Sequence, residues 1–141
     1  LIHGVDSMRL LEEINKQAQK NGRVIDVLLQ FHIAQESTKV GFDEGEANTM
    51  LGSSVFASFE NMRVTGVMGM ATFTDNQSQV RAEFGKLTTI FNDLKKQHFG
   101  GADHFSTISM GMSGDYQLAM EEGSTMVRVG SSIFGVRNYN I

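Results

Sequence analysis

Arg128 lies in the stretch MVRVGSSIFG (residues 126–135), between Val127 and Val129, and is followed by Gly130, Ser131 and Ser132. An apolar run of this kind reads as a buried strand, and a guanidinium taken out of water is costly unless it is paired. Strand alternation turns Arg128 away from its two valine neighbours. It then either pairs with one of the sixteen acidic residues or donates to an anion or a ring nitrogen at the C-terminal edge of a sheet. The Gly-Ser-Ser turn after it is suited to the second use, because successive backbone N–H groups at such a turn form an anion site. A second turn of the same kind, SMGMSGD (109–115), follows an earlier strand. Either turn alone is better explained as a tight strand-to-helix connection, in which Gly and Ser are common. The pair, with an arginine beside the second, makes a phosphate site as good a reading.

The other residues capable of chemistry are less well placed. His3, His32, His98 and His104 have no metal-ligand spacing; His98 is expected to end a helix, where a cation suits the dipole, and the others to sit in strands. Met68, Met70, Met110 and Met112 fall near strand ends and either line a flat ligand or fill core. Glu12, Glu13, Glu121 and Glu122 belong to helix surfaces, and ESTKVGF (36–42) reads as a surface turn carrying a lysine. No dinucleotide fingerprint, Walker sequence or nucleophile elbow occurs.

Composition narrows the classes further. With 141 residues, 40% hydrophobic and 20% charged, the chain can build one domain with a core. A net charge of −4 with scattered Lys and Arg gives no basic field for nucleic acid. No apolar run is long enough to span a membrane, and no secretory leader pattern is present. The absence of cysteine excludes disulfides, thiolate zinc sites and thiol catalysis, and agrees with a cytoplasmic location.

The elements that must position these residues alternate. Strands are expected at LIHGV (1–5), RVIDVLLQFHI (23–33), MRVTGVMGMAT (62–72), HFSTISM (104–110) and TMVRV (125–129). A helix capped by Asp6 or Ser7 carries Leu10, Leu11, Ile14 and Ala18 on one face. A second is expected over roughly 43–59, weakened by Gly45 and Gly52-Ser53-Ser54. The clearest carries Val80, Phe84, Leu87, Phe91 and Leu94 at helical spacing, and Ser113 is expected to cap a short one ending near Glu122. Such βα alternation implies a parallel sheet. It is compatible with a five-stranded doubly wound sheet of flavodoxin type, or with the larger part of a (β/α)₈ barrel.

The stretch ISMGMSGDYQLAMEEGSTMVRVGSSIFGVRNY, Ile108 to Tyr139, is similar to the C-terminal end of the pyridoxal phosphate homeostasis protein family. Upstream, LIHGVDS, TKVGF and VTGVMGMAT resemble, in order, that family's later strands and loops, so the resemblance covers essentially the whole chain. It implies an α/β fold comprising strands four to eight of a (β/α)₈ barrel of the alanine-racemase N-terminal type. It also implies a non-catalytic protein that binds pyridoxal 5′-phosphate (PLP). By resemblance, Ser109 bonds the cofactor phosphate, Gly130 and Ser131 complete the phosphate cradle, Arg128 lies near the pyridine nitrogen, and Met110 belongs to the same cofactor-binding set. The family's Schiff-base lysine precedes the stretch matching LIHGVDS, and none of Lys16, Lys20, Lys39 or Lys86 lies in a matching context. Ser131 stands where the family usually has threonine, which keeps a hydroxyl, and Asn138 stands where aspartate is frequent. Racemases of this fold use a tyrosine from a second domain that the resembled family lacks, so a carrier or buffer of PLP is expected, self-associating through exposed barrel edges. The alternative is a phosphate-ligand enzyme, racemase-like or flavodoxin-like, with Arg128 clamping its substrate.

Overall fold

The structure is a computed structural model that describes residues 1–36, 38 and 40–140. Strand β1 (Ile2–Val5) leads into helix α1 (Met8–Lys20). Of the two expected caps it is Ser7 that acts, its side chain accepting from the Leu10 N–H at 3.2 Å. Strand β2 (Ile25–Gln30) is shorter than its apolar run, because the chain beyond it leaves the sheet and bridges instead between Phe31 and Phe42. The helix expected over 43–59 is two, α2 (Glu44–Leu51) and α3 (Ser54–Ala57). They part at Gly52-Ser53, where the Ser53 hydroxyl takes the Phe56 N–H and starts a new cap. Strand β3 (Met62–Met68), helix α4 (Gln77–His98), strand β4 (Thr107–Met112), helix α5 (Tyr116–Glu121), strand β5 (Met126–Arg128) and helix α6 (Ser131–Phe134) complete the order. His104 therefore lies in the loop before β4 rather than in the strand, and α5 is preceded by Asp115, not capped by Ser113.

All four strand pairs are parallel, and the five strands lie side by side in chain order, β1-β2-β3-β4-β5. This order excludes a flavodoxin-type sheet, which must reverse direction after its first crossover. Right-handed crossovers that all step the same way put every helix on one face. The result is a parallel half-barrel: helices outside, and a second face of the sheet turned away from them.

Packing follows that division. Val5, Val27, Leu29, Val64, Val67, Ile108 and Met110 join Leu11 and Ile14 of α1, Ala47, Met50 and Leu51 of α2, the α4 stripe from Val80 to Leu94, and Ala119 of α5 in one buried cluster. The alternate strand residues Leu28, Gln30, Met68 and Ser109 are also buried but stand outside this cluster, on the other face. In β3 the alternation would carry Met62 and Val64 on to Gly66 and Met68. The register slips instead, Val27 pairing with Val64 but Leu28 with Gly66. The extra residue, Thr65, bonds through its hydroxyl to the Val27 carbonyl, and the slip brings Val67 rather than Met68 to the helices.

The strand holding Arg128 is less buried than its apolar sequence implies. β5 and β1 are the two edges of the sheet. Val127 is 36% exposed and Leu1 56%, because no neighbouring strand or helix covers them. Ile133, Phe134, Val136 and Tyr139 after β5 are also exposed.

Gly66 tests the β3–β4 approach. A Cβ built there would meet the Thr107 carbonyl oxygen at 2.0 Å, a backbone obstacle that cannot rotate away. Gly66→Ala should lower unfolding stability by at least the roughly 1–3 kcal/mol typical of overpacking, measured by chemical denaturation. An unchanged midpoint would contradict this register.

Candidate functional site

The C-terminal ends of β3, β4 and β5 meet around Arg128. Its guanidinium donates from Nη1 to Ser109 Oγ at 2.5 Å and from Nη2 to the Gly69 carbonyl at 3.2 Å. Neither acceptor is charged, and among the described residues no carboxylate forms an ion pair with Arg128. The structural ion pair that its burial suggested is therefore absent there. Burial pushes the Arg128 guanidinium below its ordinary pKa, partly offset by the more distant negative charge of Asp115. His3, on β1 at the opposite edge of the sheet, is also lowered, by burial first and then by the charge of Arg128.

The two Gly/Ser turns are joined by one hydroxyl. Ser113 Oγ accepts from the Gly130 N–H and from the Ser132 N–H, each at 3.2 Å. The turn that brings Ser113 there depends on Gly111, which has φ +102° and whose Cβ position lies 2.7 Å from the Ala119 side chain and 2.9 Å from Tyr116 Cα. A side chain at 111 is excluded by both conformation and space. Asp115 holds the same turn from beyond, accepting the Met112 N–H at 2.7 Å.

A cavity of about 640 Å³ opens between these groups. Arg128, Gly130, Ser131, Ser113 and Asp115 form one side, and Thr72, Phe73 and Asp75 from the β3–α4 connection, with Gln77 at the start of α4, form the other. The far wall is held by Glu83, a buried residue of α4 whose Oε1 accepts the Thr72 N–H at 2.6 Å. The Thr72 hydroxyl in turn accepts the Gln35 N–H at 2.9 Å, tying in the loop after β2. Phe73 is fully exposed at the rim.

Of the residues singled out from sequence, Arg128, Gly130 and Ser131 line this cavity. Ser109 and Met110 do not. Ser109 is fully buried with its hydroxyl engaged by Arg128, and Met110 is fully buried in the core cluster on the helix-facing side of β4. Met112 lines the cavity and is 42% exposed. His98 ends α4 as expected and bonds Asn48 Oδ1 at 2.8 Å. No lysine lines the cavity; Lys39 lies outside the described residues. Among those residues no cluster of metal-ligating side chains occurs, and no helix is long and apolar enough to cross a membrane.

The residues that sequence reasoning did not single out are the Gly69 carbonyl, Glu83, and Ser113, which lay within the expected SMGMSGD anion turn but was named individually only as a helix cap. Ser113 repeats the serine of Ser109 four positions on, but only the turn at Gly111 decides which serine reaches Gly130. Glu83 sits on the apolar stripe of α4, where an acid in a buried position is itself a signal.

The chain has relatives of established sequence and structure. Pyridoxal phosphate homeostasis proteins are 35% identical in Aquifex aeolicus (over 139 residues, 99% of this chain and 59% of the relative) and 33% identical in Homo sapiens (99% and 51%). The chain thus spans a little over half the length of these relatives. Among solved structures, PipY of Synechococcus elongatus with PLP bound superposes with a TM-score of 0.80 at 29% identity, covering 95% of this chain and 60% of that one. A diaminopimelate decarboxylase at 17% identity and TM-score 0.70 shares the fold. The family model of the alanine racemase N-terminal domain matches residues 1–138. With its parallel half-barrel and arginine-lined cavity, the chain belongs to the alanine racemase N-terminal domain family.

Proposed function

We propose that this chain is the phosphate- and ring-binding part of a non-catalytic PLP-binding protein of intracellular PLP homeostasis. In this reading β1 to β5 are strands four to eight of a (β/α)₈ barrel, residues 1–141 forming one domain with it. The observation that carries the proposal is the convergence of two backbone N–H groups on Ser113 Oγ, beside an arginine with no carboxylate partner among the described residues. A phosphate oxygen is the natural acceptor for such donors, with the Ser113 and Ser131 hydroxyls beside it. Arg128 then meets the pyridine nitrogen. The homeostasis proteins among the relatives and the PLP-bound PipY support the choice of ligand.

The donor set fits PLP for the phosphate and the ring, and among the described residues no lysine lines the cavity for the aldehyde. PLP supplies electron-sink chemistry when its ring nitrogen is protonated. A permanent cation beside that nitrogen disfavours the protonated form. Arg128 therefore favours holding the coenzyme over activating it, and we place the protein with carriers rather than with amino-acid enzymes. Its composition is consistent with the cytoplasm.

Two measurements test this reading. Equilibrium dialysis of PLP against the 141-residue chain should give weak binding that inorganic phosphate displaces, with no borohydride-trapped adduct on a defined lysine. A stoichiometric adduct on one lysine of the chain would overturn the assignment of an incomplete site. Ser113→Ala and Arg128→Ala should each weaken PLP binding by about tenfold, the equivalent of losing one hydrogen bond to a charged group.

We also propose that the chain by itself self-associates, because β1 and β5 leave strand edges and apolar side chains uncovered. Sedimentation of the isolated chain should show concentration-dependent oligomers, and a monomer at all concentrations would refute it.

A further inference from the structure

Ser109 occupies a different place from the Gly130–Ser132 turn. Its side chain is fully buried, it does not line the cavity, and its hydroxyl accepts from Arg128 Nη1 at 2.5 Å. The second Nη donates to the Gly69 carbonyl at 3.2 Å. Gly69 and Ser109 are themselves locked together, since the Gly69 N–H donates to the Ser109 carbonyl at 3.1 Å. The Ile33 and Leu87 side chains crowd Gly69, so that a Cβ built there would lie 2.9 Å from the first and 3.3 Å from the second. The two acceptors thus come from adjacent strands whose relative position the backbone already sets.

A guanidinium is planar, and two acceptors on its two terminal nitrogens define its plane. Two of its five N–H donors are so engaged, and the others remain for a ligand. The identity of the acceptors matters as much as their position. A carboxylate at position 109 would also hold Arg128 but would cancel its charge and pair with it bidentately. A hydroxyl and a peptide carbonyl orient the cation and leave its charge for the ligand.

We propose that Ser109 is a positioning residue: with the Gly69 carbonyl it sets the plane of the Arg128 guanidinium, and it acts on the bound coenzyme only through Arg128. This rests on the PLP reading above and changes the role that family resemblance implies for Ser109, that of a phosphate ligand. The two roles differ in what they predict for a ligand with no ring. If Ser109 works through Arg128, its loss weakens the contact to the ring nitrogen and leaves the phosphate turn intact.

The test uses PLP and inorganic phosphate as separate probes, with Ser109→Ala and Ser109→Thr. Ser109→Ala should lower PLP affinity three- to tenfold while inorganic phosphate affinity stays within a factor of two, and Ser109→Thr should restore most of the PLP affinity. An equal loss for both probes would make Ser109 a phosphate ligand and overturn the proposal. A ligand-free readout separates this from failure of the PLP reading. Nitrogen-15 NMR of the Arg128 side chain should show hindered rotation about Cζ–Nε that becomes severalfold faster in Ser109→Ala and is slowed again in Ser109→Thr. Unchanged rotation in Ser109→Ala refutes positioning, whatever binds. Faster rotation in a protein that binds no PLP refutes the PLP reading and leaves the positioning intact. Should Ser109→Ala not fold, Ser109→Cys keeps the side-chain volume with a much weaker acceptor, and the same comparisons apply.

Discussion

Arg128 is half-buried at the end of an edge strand and has no counter-ion among the described residues. Its desolvation must be met by neutral acceptors, and these have to be in place before any ligand arrives. One is the Ser109 hydroxyl on β4 and the other the Gly69 carbonyl just past β3. Three neighbouring strands must therefore end at compatible heights. The parallel order β3-β4-β5 achieves this, because parallel strands entered from the same side bring all their C-terminal ends to one rim.

The irregularities of the sheet serve the same rim. The slip at Thr65 shifts β3 by one residue, so that Val67 enters the core and Met68 the opposite face. The turn at Gly111 lets the chain double back close against α5 and deliver Ser113 to the Gly130 turn. Both re-aim side chains at the strand ends, the usual place for bulges and left-handed glycines next to binding sites. The β3–α4 wall is held in a comparable way, by the Glu83 carboxylate on the Thr72 N–H.

This arrangement also sets a chemical preference. A cation oriented by neutral groups keeps its charge for a ligand acceptor, whereas an arginine already paired to a carboxylate would have little left to offer. The cavity beside it combines that charge with the Gly130–Ser131 turn, whose Gly130 N–H meets Ser113 Oγ, and an apolar rim at Phe73 and Met112. A flat ring with an acceptor nitrogen at one end and a phosphate at the other matches this distribution. The edge strands oppose independent stability, since β1 and β5 leave backbone and apolar groups without neighbours.

Much of this was legible in the residues themselves. The apolar spacing of α4, the five strand runs and the Gly/Ser turns follow from local periodicity and turn chemistry, which depend on neighbours a few residues apart. Arg128 also declared itself, as a cation in an apolar run. What sequence could not decide was anything that depends on how strands meet. Strand order chose the half-barrel over the doubly wound sheet. The edge position of β5 left Val127 exposed where its pattern implied burial. The choice between two serines four residues apart was made by the β4–β5 pairing, which set Ser109 against Arg128, and by the turn at Gly111, which brought Ser113 to the Gly130 turn. Those outcomes are contacts between segments far apart in the chain, where local pattern is the same for either partner and only the packed structure distinguishes them.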